Sequence, residues 1–168
     1  MDSEALRALQ SPLKDRYRQA PDTARITLSA EGRIGEGVTC KVDTGRALVE
    51  AGLHPATGGT GTSACSGDML LEALVACAGV TLNAVATALG VKLNDAKVRA
   101  EGDLDFRGTL GVAKDVPVGF QHIRLQFELE TDATEDEVAT LLRLTERYCV
   151  VYQTLAHPPT LEVTRTGA

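Results

Sequence analysis

Residues 66–82 read SGDMLLEALVACAGVTL, and the run continues as NAVATAL to Leu89 before meeting Gly90. That stretch is too long for a strand and is punctuated as a helix. Ser66 suits an N-cap, Asp68 falls in the first turn where the helix dipole favours negative charge, and Gly90 supplies the stop. Its apolar side chains lie nearly all round the helix, which predicts burial on several sides. The apolar length would also suit a membrane span. Asp68, Glu72, Thr81 and Asn83 interrupt or flank it closely, so a buried core helix is the better reading. Near its middle sits Cys77.

Working outward, the residues before this helix, 54–66 (HPATGGTGTSACS), form a Gly-, Thr- and Ser-rich loop. It lacks the Gly-Lys-Ser/Thr ending that a phosphate-binding loop needs, so it reads as a connection. Further upstream, residues 24–30 (ARITLSA) alternate apolar and polar as a half-buried strand does. Gly32-Arg33-Ile34-Gly35 reads as a turn and residues 37–42 (GVTCKV) as the returning strand of a hairpin. Residues 46–53 fit either a third strand or one short turn. Residues 1–20 are polar and helix-prone, with Leu6, Leu9 and Leu13 at helical spacing, and Pro21 ends the segment. The expected division is an N-terminal helical extension over 1–23 and one domain over 24–168.

Downstream, residues 91–106 suggest two short strands around Leu93-Asn94-Asp95. Residues 122–130 (HIRLQFELE) are the clearest strand in the chain, with Ile123, Leu125, Phe127 and Leu129 on one face. Thr134 with Glu137 makes a capping box, so a helix should start there and run to about Cys149. Pro158-Pro159 blocks its continuation, and residues 160–164 (TLEVT) read as a closing strand. Strand runs separated by two helices define an α+β class rather than alternating βαβ units.

Composition narrows the function classes. The chain has 168 residues, 43% hydrophobic and 24% charged, enough for one domain with a real core. It has no Trp, so Leu, Val and Ala must build that core. A formal net charge of -6 with no basic block argues against nucleic acid and against a polybasic membrane contact. The N-terminus lacks the pattern of a secretory signal, which points to a cytoplasmic protein whose four cysteines are largely reduced.

Neither Cys77 nor Cys149 belongs to a CxxC pair, and His54, His122 and His157 are scattered, so no zinc site or other metal centre is expected. Taken singly, each cysteine is more often a small core hydrophobe. Cys40, on a strand, reads as structural, and nothing places Cys65 in a site.

The pair gains meaning from its setting. The segment SGDMLLEALVACAGVTL resembles the first-cysteine helix of the OsmC/Ohr family of hydroperoxide-reducing proteins, in which an acidic residue opens a long buried helix carrying the reactive cysteine. A second cysteine late in the next helix, followed by Thr-Leu, is matched by YCVVYQTL with Cys149, Thr154 and Leu155. A Gly-Arg-x-Gly element near the N-terminus is matched by Gly32 to Gly35. The resemblance covers residues 24–165. It departs at Ser66-Gly67-Asp68, where relatives usually have a proline and a glutamate. It departs again around Cys149, where Val150 stands for a proline and Glu146 for a histidine.

The resemblance implies an OsmC-like fold, with antiparallel sheets packed on a long central buried helix in an intertwined homodimer. It implies a peroxidase reducing organic hydroperoxides, with hydrogen peroxide open as a second substrate and no cofactor. Cys77 would be the peroxidatic cysteine and Cys149 the resolving one. Arg33 would stabilise the thiolate, with Arg46 as the alternative, and Asp68 would hold the arginine. A lipoyl-type dithiol would be the reductant. The competing reading is a redox-sensing or binding module of the same fold without efficient turnover.

Two physical points bear on these roles. Cys77 lies too far into its helix for that helix's own dipole to act on it, so it needs a cation from elsewhere. Asp68 lies nine residues earlier, about 13 Å along the axis, which favours assembly of Arg33, Asp68 and Cys77 across a dimer interface.

Overall fold

The computed structural model describes residues 49–111 and 113–167 throughout, the backbone of residues 31–34, 39–43 and 48, and residues 2–5, 8, 11 and 19 of the N-terminal segment. In that segment residues 3–5 are helical, and Asp2 Oδ1 accepts a hydrogen bond from Ala5 N at 2.8 Å. The strand expected over 24–30 and the side chains of Arg33, Cys40 and Arg46 lie outside the described residues.

The first sheet contains β1 (Glu31–Ile34), β2 (Thr39–Asp43), β3 (Leu48–Gly52) and β4 (Ala64–Cys65) in that order. The first three are antiparallel, and β4 adds two residues parallel to β3. Arg33 therefore belongs to a strand, opposite Lys41, rather than to the turn its glycines predicted. The ambiguous residues 46–53 contain a strand. The Gly-rich connection contains a 3-10 turn at Pro55–Thr57, capped by His54 Nδ1, which accepts from Ala56 N at 3.1 Å.

Helix α1 runs from Ser66 to Leu89, the span the sequence predicts. Its N-cap is Cys65 rather than Ser66, and Cys65 makes no side-chain capping bond. Gly90 closes the helix at φ 74°, a left-handed conformation that glycine adopts without strain. The expected all-round burial is corrected. One stripe, Leu74, Ala78, Leu82 and Ala86, is buried at the i, i+4 spacing of a single face, while Val80 is 73% exposed. By length and composition α1 could cross a bilayer, with a mean hydropathy of 1.8, yet this stripe faces the protein core.

The second sheet pairs β5 (Asp95–Asp103) with β6 (His122–Glu130) in nine antiparallel registers. β6 has the predicted limits. β5 is one continuous strand where two short ones were expected. Its register sets Val98 opposite Phe127, Ala100 opposite Leu125 and Gly102 opposite Ile123, and the side chains of Val98, Ala100, Ile123, Leu125 and Phe127 pack against the buried stripe of α1. The outward face carries charge: Lys97 pairs with Glu128 at 3.4 Å, and Arg124 pairs with Asp103 and with Glu101. Such exposed pairs contribute little stability.

The short helix α2 (Phe106–Thr109) follows β5, and the Phe106 ring stacks on His54 with centroids 5.0 Å apart. Helix α3 (Glu135–Tyr148) starts at the predicted capping box: Thr134 Oγ1 accepts from Glu137 N, and Glu137 Oε2 accepts from Thr134 N at 2.8 Å. The chain then turns at Cys149 into α4 (Val150–Ala156), a helix the sequence did not announce. Residues 160–164, expected as a closing strand, have no strand pairing among the described residues, and Leu161 and Val163 are exposed. Among the described residues the core has two adjoining parts: Leu74, Ala78 and Cys149, and then Leu82, Ala86 and Leu141.

Gly102 has a packing reason to be glycine. A Cβ there would lie 2.5 Å from two carbons of the Phe120 ring. Gly102→Ala should force the ring aside and destabilise the fold by about 1–3 kcal/mol, measured as a shift in urea midpoint at constant slope. An unchanged midpoint would show that Phe120 does not pack there.

Candidate active site

The site is built where α1 meets the α3–α4 corner. Cys77 lies on α1 beside the buried stripe and is half-buried, whereas Cys149 is 1% exposed. Both are free thiols, and Cys77 packs against the buried cluster that contains Cys149. The two cysteines singled out from the sequence are thus brought together, 72 residues apart in the chain.

The corner is held by backbone bonds on both sides of Cys149. Cys149 N donates to Thr145 O at 2.9 Å, ending α3, and Gln153 N donates to Cys149 O at 2.9 Å, starting α4. The Gln153 amide reaches back to donate to Glu146 O at 2.8 Å, satisfying a carbonyl left open by the end of α3. Thr145, fully buried, donates its hydroxyl to Leu141 O.

This corner changes the electrostatics expected from the sequence. Cys149 is the C-cap of α3 and at the same time the N-cap of α4, where it makes no side-chain capping bond, so the first N–H groups of α4 are left without an intrahelical acceptor. Burial pushes the Cys77 thiol up. The N–H of Val151, the Cys149 thiol, the N–H of Val150 and the Thr81 hydroxyl outweigh it and hold the Cys77 thiol below its ordinary value. For Cys149 burial dominates and pushes its thiol up. Its role as hydrogen-bond donor to Cys77 and the negative charge of the Cys77 thiolate add to that, against the N–H groups of Tyr152 and Val151. The result is one accessible thiol inclined to ionise, with a buried protonated thiol as its neighbour. A thiolate is the nucleophilic form, so the arrangement favours attack by Cys77.

Among the described residues, no cation is among the groups that shift the Cys77 thiol. Asp68 sits in the first turn of α1, exposed, with no ion pair among the described residues. Among the described residues no group of three His, Cys, Asp or Glu side chains is placed to hold a metal ion. The sequence reading missed the α4 N–H groups because Val150 begins α4 without a side-chain cap. It missed Thr81 because a threonine inside a helix carries no positional signal. A cleft of about 410 Å³, which neither cysteine lines, opens between β6 and α4.

Val150 offers a direct test of the corner. It is 71% exposed and is the first residue of α4, where proline is tolerated, and Cys149 already has the extended backbone that precedes proline well. Val150→Pro should fold normally but lose one N–H donor to the Cys77 thiolate. The pH midpoint for iodoacetamide alkylation of Cys77 should rise by about half to one unit. An unchanged or lowered midpoint would refute the role given to this N–H.

A family model for OsmC-like proteins matches residues 59–164. The structure superposes on that of an OsmC-like protein from Mycoplasma pneumoniae with a TM-score of 0.67 and 19% identity, covering 79% of this chain and 89% of that one. An organic hydroperoxide resistance protein OsmC from Legionella pneumophila gives 0.62 and 17%, covering 79% and 90%. An organic hydroperoxide resistance protein from Elizabethkingia anophelis gives 0.62 and 18%, covering 80% and 91%. No curated protein matches the chain in sequence. A mixed helix-and-sheet chain with this match belongs to the OsmC-like protein family.

Proposed function

We propose that the protein is a thiol-dependent peroxidase that reduces organic hydroperoxides through Cys77 and Cys149. The observation that carries this reading is the contrast within the contacting pair: a half-exposed thiol held low beside a buried thiol held high. Membership of a family that includes organic hydroperoxide resistance proteins supports the substrate class.

The Cys77 thiolate attacks the terminal peroxide oxygen, the O–O bond breaks, and the alkoxide leaves as an alcohol after taking a proton. Cys77 becomes a sulfenic acid. The Cys149 thiol displaces its hydroxyl, giving a disulfide and one water. A dithiol then returns both cysteines to thiols and is itself oxidised to a cyclic disulfide.

Arg33, with Arg46 as the alternative, supplies positive charge to the thiolate and is held by Asp68. The exposed flank of α1 around Val80 supports assembly of this part in an intertwined homodimer. The protein works in the cytoplasm, without nucleic acid or membrane, as one domain over 24–168 behind an extension over 1–23.

The test is intact-mass spectrometry after one equivalent of cumene hydroperoxide. A peroxidase loses two hydrogens and regains them on adding dihydrolipoamide, with continued turnover. An unchanged mass with all thiols intact would overturn the reading. Disulfide formation without turnover would favour a redox-sensing module instead.

A further inference from the structure

The chain has three Phe and three Tyr residues and no Trp. Phe120, Phe127 and Tyr152 all line the cleft between β6 and α4. Half of these few aromatic side chains thus converge on one concave surface, and aromatic rings supply large contact areas at binding sites. Leu74 of α1, Ile123 and Leu125 of β6, and Leu155 of α4 complete the apolar wall. Ile123, Leu125, Phe127, Tyr152 and Leu155 are only half-buried, so the fold leaves this wall partly uncovered. At about 410 Å³ the cleft falls within the range of about 300–1,000 Å³ usual for small-molecule sites.

The charge at its mouth has one sign. Gln121, His122 and Glu146 line it, and no Lys or Arg does. Glu146 is exposed near the end of α3, and its backbone O accepts from the Gln153 amide. Among the described residues its carboxylate has no ion pair. Arg124, two residues beyond His122, directs its charge to Glu101 and Asp103 on the outward face of the sheet. His122 Nδ1 accepts from Arg124 Nη1 at 3.1 Å, arginine being a donor only. Glu146 is left as the open charge at the mouth.

We propose that this cleft binds a protonated primary amine carried on a small apolar body, with the body against the aromatic wall and the ammonium at Glu146. The inference is independent of the thiol chemistry, since neither cysteine lines the cleft. A neutral molecule with the same body would fill the wall equally but leave the carboxylate without a partner. An anion would meet it as a like charge. An ammonium brings three donors, which the Glu146 carboxylate and the Gln121 side-chain carbonyl can accept. Because Tyr152 and Leu155 belong to α4, the bound molecule braces that helix against β6. Hydrogen exchange of amides 153–156 should slow when it binds.

The test uses three eight-carbon probes, n-octylamine, 1-octanol and octanoate, titrated into the full chain near neutral pH. The chain has three isoleucines, Ile26, Ile34 and Ile123, and only Ile123 lines the cleft. Labelled isoleucine methyl groups therefore give a direct NMR readout. The Ile123 signal should shift, with n-octylamine bound about tenfold more tightly than 1-octanol and octanoate weakest. n-Butylamine, four methylenes shorter, should bind at least about tenfold more weakly than n-octylamine. Glu146→Gln, an exposed change, should bring n-octylamine to within about twofold of 1-octanol. Glu130→Gln removes the same charge outside the cleft and should leave the preference intact, which separates the site from general attraction to a chain of net charge -6. An Ile123 signal that no probe moves, as when a second copy or another part of the chain fills the cleft, would overturn the proposal. So would octanoate binding more tightly than n-octylamine, or an equal loss of amine preference in the two variants.

Discussion

Cys77→Ser is expected to abolish peroxide-driven disulfide formation and to lower turnover by about three orders of magnitude or more, while leaving the fold intact. Serine fits the half-buried site and accepts the same N–H donors. Its hydroxyl, however, has no accessible anion near neutral pH, so the corner that favours a thiolate has nothing to act on. The matching variant Cys149→Ser should behave differently. Cys77 would still be oxidised, but only to the sulfenic acid, which a dimedone adduct would reveal. Stoichiometric peroxide consumption by Cys77→Ser would show that another group performs the first step. The difference between the two variants assigns the order of the steps, because only the attacking cysteine is needed for the first.

Leu141→Ala should be the most damaging scaffold substitution. Leu141 on α3 is fully buried against Leu82 and Ala86 of α1, with Phe127 and Leu129 of β6 closing the same cluster. Removing its branched end leaves a cavity that these neighbours cannot fill without moving both helices. The expected cost is about 2–5 kcal/mol, or roughly a 10 °C fall in Tm. Because this cluster adjoins the one containing Cys149 without including it, the native fraction should still show the unequal reactivity of the two thiols. A loss below about 0.5 kcal/mol would mean that α1 and α3 are not locked together there.

The elements that were legible in the sequence share strong local signals. α1 is bounded by a first-turn acid and a stop glycine, β6 alternates without a fault, and α3 opens on a capping box. β5 was misread as two strands because Lys97, Arg99 and Glu101 make its outward face so polar that only its pairing with β6 reveals one element. α4 was hidden because nothing at Cys149 or Val150 marks a helix start. The TLEVT segment alternates as a strand does, but alternation only prepares a strand. A partner edge must complete it, and none pairs with it among the described residues. Of the site, the two cysteines were legible through their joint pattern. The N–H groups that lower the Cys77 thiol, and the cleft between β6 and α4, were not, because both arise from a corner between helices and from residues scattered over α1, β6 and α4.

That corner ties the oxidation state of the pair to the order of α4. Its leading amides favour an anion on the Cys77 sulfur, and forming the S–S bond leaves that sulfur unable to carry one. The amides of Val150 and Val151 then lose an acceptor without gaining another, so α4 becomes a local reporter of redox state. Hydrogen–deuterium exchange at these two positions should quicken on oxidation and slow again on reduction, while amides in the middle of α1 keep one rate throughout.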